Sequence, residues 1–344
     1  MRGVMRLNPG RSNKYYVGPW RSARRRPLTR RGRSELVWAT MRVVRVVCPQ
    51  SLTTVGTRAL LTTHRQLQRL VIKAARSGPP EEDSRAVFDL SQCTDIDPAC
   101  ILLFVYTSRV LHRMGWSTFI EQGTAGSPAF AALLKQFQHL KAQRAKRQSQ
   151  PWDPGQYPLR GVKSQKDMVA ELQEWAECVR KATTASEEDL ARWTTHVSEL
   201  TTNSFQHAPT GFSGAIGDIL IAGEAKEGLI QLATLDTGSG IPSVLRPHVP
   251  PALHDGEIIA RACQERVTSR CSRANQGLGL YALSEAVKAA RGTLQILSGN
   301  GLSHVRNGRN YARCLKPSPS IATSLAGTLT VIGLTVTGLK TRRR

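Results

Sequence analysis

Apolar and polar positions repeat with two periods along this chain, and the switches between them mark out its elements. Val43-Val44-Arg45-Val46-Val47 predicts a strand. Residues 54–76 predict a helix with Leu60, Leu61, Leu67, Leu70 and Val71 on its apolar side. A second strand at 86–90, a helix at 99–114, a third strand at 117–121 and a helix at 128–140 continue the alternation. Alternating β and α predicts an α/β layer with helices against a sheet.

Farther on, Met168, Leu172, Trp175 and Val179 line one side of a helix over 165–182. Ser186, followed by Glu187, Glu188 and Asp189, reads as the N-cap of the next helix, with acids where its dipole favours them. Trp193, Val197, Leu200 and Ser204 give that helix its core side. Residues 216–222 and 229–235 predict a hairpin around 224–228. Helices follow at 255–267 and 280–290, with strands at 293–297 and 328–336. The apolar run 321–339 is broken by Gly and rich in Thr, which makes it a strand and not a membrane span.

The 344 residues imply two domains. Residues 141–164, with Lys141, Arg144, Lys146 and Arg147 and then Pro151, Pro154, Gly155 and Pro158, read as the linker between a domain at 41–140 and one at 165–344. Charge changes this picture at the front. The net charge is +23, and residues 1–40 hold eleven Lys or Arg against the single acid Glu35. That stretch has no period and reads as a disordered basic tail. Alternatives are an arm for nucleic acid or a biological start at Met41. The rest carries 37 basic and 24 acidic residues, a surface that attracts nucleic acid, acidic proteins or anionic lipid. No apolar leader precedes residue 40. Seven cysteines without a CxxC pair imply reduced thiols and a cytoplasmic protein. His248, His254, Cys263 and Cys271 lack the spacing of a zinc site.

Three islands carry the candidate chemistry. In Glu199-Leu-Thr-Thr-Asn203 the two named residues stand four apart on a helix, so a carboxylate and an amide oxygen share one side. Such a pair can hold a water and a hard divalent cation. In Asp236-Thr-Gly-Ser-Gly240 an Asp ends a strand and two glycines bring backbone close to a ligand. That Asp can accept from an exocyclic amine such as adenine's. In Asn275-Gln-Gly-Leu-Gly279, Gly277 and Gly279 precede an apolar helix, whose first N–H groups favour phosphate.

In this order the islands resemble the N, G1 and G2 boxes of the GHKL superfamily, the ATPases that include histidine kinases and gyrase B. The run from Val197 to His207 is most similar to the anti-sigma-factor serine kinases of that group. The resemblance covers residues 165–337. It implies a Bergerat-type α/β sandwich with helices on one face of a mixed sheet, binding ATP and Mg2+. Asn203 would ligate the metal and Glu199 would act as base. Asp236, Gly238, Gly240, Asn275, Gly277, Leu278 and Gly279 would bind the nucleotide. The segment between the glycine islands would be the ATP lid. His207 and Arg270 lie near these islands and read as packing or solvated side chains, with nucleotide contact as the alternative.

Val87-Phe-Asp-Leu-Ser-Gln-Cys-Thr-Asp-Ile-Asp97-Pro98 resembles the STAS domain of anti-anti-sigma factors. In that family an Asp opens a helix before a phosphorylated Ser or Thr. Asp97 matches the Asp, but Pro98 and Ala99 stand where hydroxyls belong, so the family's switch is absent. The whole implies a kinase-like or ATPase-like regulator in an anti-sigma-type partner-switching pathway. Its partner would be of the STAS or sigma-factor type, and a homodimer is open. The alternatives are a nucleotide-gated binding module without turnover, or nucleic-acid binding through the tail.

Overall fold

The computed structural model describes residues 4–7, 43–48, 51–52, 57–80, 84–121, 131–132, 135–136, 156–162, 164–183, 185–207, 219–226, 229–265, 267, 279–314 and 325–335. The chain divides into two units. The first comprises Met1–Thr53, Arg58–Ile96 and Leu103–Leu133; the second comprises Thr54–Thr57, Asp97–Leu102 and Leu134–Arg344. Both parallel and antiparallel strand pairs occur, together with helices, so the class is mixed α/β.

In the first unit β2 (Val43–Val47), β4 (Arg85–Asp89) and β6 (Ser117–Glu121) pair in parallel. Parallel neighbours need long crossovers, and helices α1 (Thr57–Arg76) and α2 (Pro98–Arg113) supply them. Leu60, Leu67, Leu70 and Ala74 are the buried stripe of α1. Phe88 meets Phe104 edge to face with ring centroids 4.9 Å apart. Arg45 ties the strands at one end, with its guanidinium 3.3 Å from Asp89 and 2.9 Å from Glu121. A two-residue parallel pair joins β3 (Ser51–Leu52) to β5 (Asp95–Ile96). The tail expected to be disordered contains β1 (Val4–Leu7), which runs antiparallel along β6. The sheet order is β1-β6-β4-β2. Most of the helix expected at 128–140 lies outside the described residues.

In the second unit the elements run β7 (Gln156–Val162), α3 (Gln165–Ala182), α4 (Glu187–His207), β8 (Ile219–Lys226) and β9 (Leu229–Asp236). Then come α5 (Ile241–Leu245), α6 (Asp255–Ala262), α7 (Gly279–Ala289), β10 (Thr293–Gly299), β11 (Gly301–Arg306), β12 (Arg309–Cys314) and β13 (Leu325–Thr335). The strands form one sheet of order β12-β11-β10-β13-β9-β8-β7. Where a mixed sheet is expected, every described pair is antiparallel. Hairpins explain part of this: β10-β11 and β11-β12 are each joined by a short turn.

One face of this sheet packs against helices. Met168, Leu172, Trp175 and Val179 of α3 join Leu190 and Val197 of α4 and Leu283 and Val287 of α7. They meet Ile221, Ile230, Leu232, Ile296 and Ile332 from the strands. The Ser186 cap expected from sequence forms, and Ser164 caps α3 in the same way. Ser164 accepts from the Asp167 N–H at 3.1 Å, and Ser186 accepts from the Asp189 N–H at 3.1 Å.

Part of the expected linker is strand β7. Its Pro158 lacks an N–H, which an edge strand tolerates, and the pairing with β8 shifts register between Tyr157 and Arg160. The Tyr157 hydroxyl donates to the Glu171 carbonyl at 3.0 Å and also to its carboxylate. Arg160 reaches Glu171 at 3.3 Å and Glu174 at 2.9 Å. These contacts dock β7 on α3.

Candidate functional site

The seven-stranded sheet is apolar on its helix face except at one end. Side chains alternate along a strand, so Thr234 and Asp236 face the same side as Ile230 and Leu232 of the core. The register sets Thr328 opposite Asp236 and Thr330 opposite Thr234. On the next strand Ser298 stands opposite Thr328. Three adjacent strands thus contribute one polar island. Thr234, Asp236, Thr330 and Ser298 are buried, and Ser298 has no exposed surface at all.

Every hydrogen-bonding group here must find a partner on this face or in a ligand. Asp236 Oδ1 accepts from the Gly238 N–H at 2.9 Å, an Asx-turn that closes the loop just past β9. The Ser298 hydroxyl donates to the Gly327 carbonyl at 2.7 Å and accepts from the Ile241 N–H at 3.0 Å. It thereby ties the start of α5 to the strand ends.

Backbone comes unusually close around Asp236. Gly327 has φ +106°, and a Cβ built there would lie 2.0 Å from the Asp236 carbonyl oxygen. Gly240 has φ +80°, and its Cβ would lie 2.7 Å from Ser298 Oγ. Both positions need the left-handed freedom of glycine.

Glu199 and Asn203 lie in the C-terminal half of α4, one turn apart. Their side chains fall outside the described structure, as does that of His207. Helix α4 packs against α7, and both lie over the face that bears Asp236. Gly279 is the first residue of α7, whereas Asn275, Gly277, Leu278 and Arg270 lie outside the described residues.

The first part of the expected lid is ordered by its own contacts. Helix α6 begins with a capping box between His254 and Glu257 and ends at Ala262, short of the expected 267. Arg246 donates to the Leu253 carbonyl at 3.1 Å and pairs with Asp255. Asp255 in turn accepts from the Asn300 N–H at 2.8 Å.

Thr234, Ser298, Thr328, Thr330 and Gly327 were not among the residues singled out from sequence. The alternation of Thr328-Leu329-Thr330-Val331 marks a two-faced strand, but nothing local says that its polar side meets Asp236. Among the described residues no group of three or more His, Cys, Asp or Glu could hold a metal ion. A groove of about 960 Å³ runs between α3 and α4, and none of the predicted site residues lines it. Its carboxylates Glu171, Glu174, Glu177 and Glu187 pair with Arg160 or Arg180.

At the start of α2, Asp97 Oδ1 accepts from the Cys100 N–H at 2.9 Å and caps the helix. Pro98 occupies the first helical position and Ala99 is buried, so neither offers a phosphoryl acceptor. No described helix is long and apolar enough to cross a membrane. No protein-family model matches this chain, and none of the curated proteins matches it.

Proposed function

We propose that the second unit binds Mg-ATP in the manner of the GHKL ATPases, with the polar island around Asp236 as the base-binding floor. The observation that carries this reading is a buried carboxylate and three buried hydroxyls at one end of an otherwise apolar helix-covered face. An apolar surround would suit an adenine ring, and the ring's exocyclic amine would suit an acceptor such as Asp236. The glycine requirement at Gly240 and Gly327 supports a loop held close to that floor.

In this reading Asn203 holds Mg2+ and Glu199 takes a proton from the attacking hydroxyl or water. Gly277, Leu278 and Gly279 would offer N–H groups to the phosphates, and Asn275 would contact the nucleotide. Bound Mg-ATP would supply the γ-phosphoryl group. The chain's own residues orient it, exclude water and accept the proton.

The first unit extends the proposal. Its parallel β2-β4-β6 sheet and crossover helices support a STAS-like fold. With Pro98 and Ala99 after Asp97, it would serve as a partner-binding domain that is not itself phosphorylated. The whole would then act as a GHKL-type ATPase or protein kinase on a separate STAS or sigma-factor-type partner.

The test is calorimetric titration of the full chain with Mg-ATP and Mg-GTP, beside phosphate release. Tighter binding of ATP than GTP is expected. Equal affinity, or no binding of either, removes the assignment of Asp236.

A further inference from the structure

The hairpin formed by β11 and β12 carries a cationic face that the nucleotide reading does not use. Its register sets Leu302 opposite Arg313, His304 opposite Tyr311 and Arg306 opposite Arg309. Directly opposed residues share a sheet face, so three arginines and a tyrosine stand together. Val305 belongs to the core beneath the helices. His304 and Arg306, its neighbours, therefore face the other way. Helix α6 packs on both strands and accounts for the covered side.

All six residues of β12 are exposed, and Tyr311 keeps 47 % of its surface in solvent. Beneath it lies the buried His304 ring, with centroids 6.2 Å apart. Burial first, then the Arg306 and Arg313 charges, hold the His304 imidazole below its usual range. The stretch from Gly301 to Cys314 contains no acid. Among the described residues no carboxylate pairs with Arg306, Arg309 or Arg313.

Along β12, Arg309, Tyr311 and Arg313 recur on the one face about 6–7 Å apart. We infer that this ribbon face binds single-stranded nucleic acid, with the arginines on phosphates and Tyr311 stacked on a base. A single strand offers an anion and a flat ring at each step, which matches guanidinium, phenol, guanidinium. An acidic peptide would satisfy the arginines and leave the exposed ring without a role. The contact reads no base edges, so it tolerates any sequence.

The experiment is fluorescence anisotropy of a labelled oligothymidylate of roughly 16 nucleotides, titrated with the full chain across salt concentrations. Replacing Arg306, Arg309 and Arg313 together by Gln should lower the slope of log K against log salt by about 2. Tyr311→Ala should weaken binding about tenfold with little change in slope, and Tyr311→Phe should restore it. All four side chains are on the surface, so the variants fold, and their Mg-ATP affinity should match the native chain. An unchanged slope in the triple variant would place the contact in the basic residues 1–40 and overturn the inference. Tighter capture of a polyglutamate peptide than of the oligonucleotide would overturn it in favour of an acidic protein partner.

Discussion

Asp236 and Thr328 are cross-strand partners on β9 and β13, both on the face that packs against helices. The pairing brings a carboxylate and a hydroxyl from distant parts of the chain to one spot. Asp236→Asn is the informative change there. The Asn carbonyl can keep the bond to the Gly238 N–H, so the turn survives. The amide NH2 then replaces an acceptor with a donor. If that position receives adenine's amine, ATP affinity should fall about ten- to a hundredfold, the cost of an unmatched buried pair of roughly 1–3 kcal/mol. Calorimetry should show the loss for ATP, with an unchanged thermal midpoint for the free protein.

Glu199 and Asn203 are predicted to separate binding from chemistry. Asn203→Ala should weaken Mg-ATP binding and abolish turnover. Glu199→Ala should keep most of the binding and slow turnover on the order of 10²–10⁴-fold, because a base acts chiefly in the transition state. Affinity and phosphate release measured on both variants check this. Unchanged turnover in Glu199→Ala would leave a nucleotide-gated binding module as the better account.

Gly327 should be intolerant of any side chain. Its φ of +106° is strained for other residues, and a Cβ would overlap the Asp236 carbonyl. Gly327→Ala should destabilise the second unit by roughly 2–5 kcal/mol, combining backbone strain with overpacking. Urea unfolding followed by Trp fluorescence would read this. A loss below about 1 kcal/mol would mean that β13 moves away from β9 at little cost.

His64 on α1 gives the first unit a pH dependence. It is buried, and burial first, then Arg65, lowers its pKa to about 4. The Gln68 amide lies 2.7 Å from His64 Nε2, consistent with donation to a neutral ring. The folded value lies below the ordinary one, so the stabilisation is full above about pH 6.5 and is lost as pH falls toward 4. The loss is on the order of 2–4 kcal/mol. His64→Leu should flatten that part of the curve. Thermal denaturation between pH 7 and 4 for both proteins checks it.

Much of the fold was legible because local periodicity carries it. The helix at 165–182 and the strand at 117–121 match their expected bounds, since apolar spacing is a local signal. The β11-β12 hairpin was missed although a local signal exists. Asn307 and Gly308 both take positive φ, 50° and 73°, the turn that Asn-Gly favours between strands. Arg309 to Cys314 hid it, because a strand exposed throughout shows no apolar alternation. At the candidate site Asp236 was legible as a strand-end acid beside glycines. Its companions Thr328 and Ser298 were not, because they meet it only through the pairing of strands far apart in sequence.

Strand β1 has a practical consequence. It occupies the edge of β6, whose backbone groups from Thr118 to Glu121 would otherwise face water unpaired. A recombinant chain shortened to begin at Met41 would bare that edge, with Phe119 and Ile120 in a β-prone run. Bare edges recruit strands from other molecules. Such a chain would self-associate during purification, and the four residues Val4–Leu7 would be what keeps the protein dispersed.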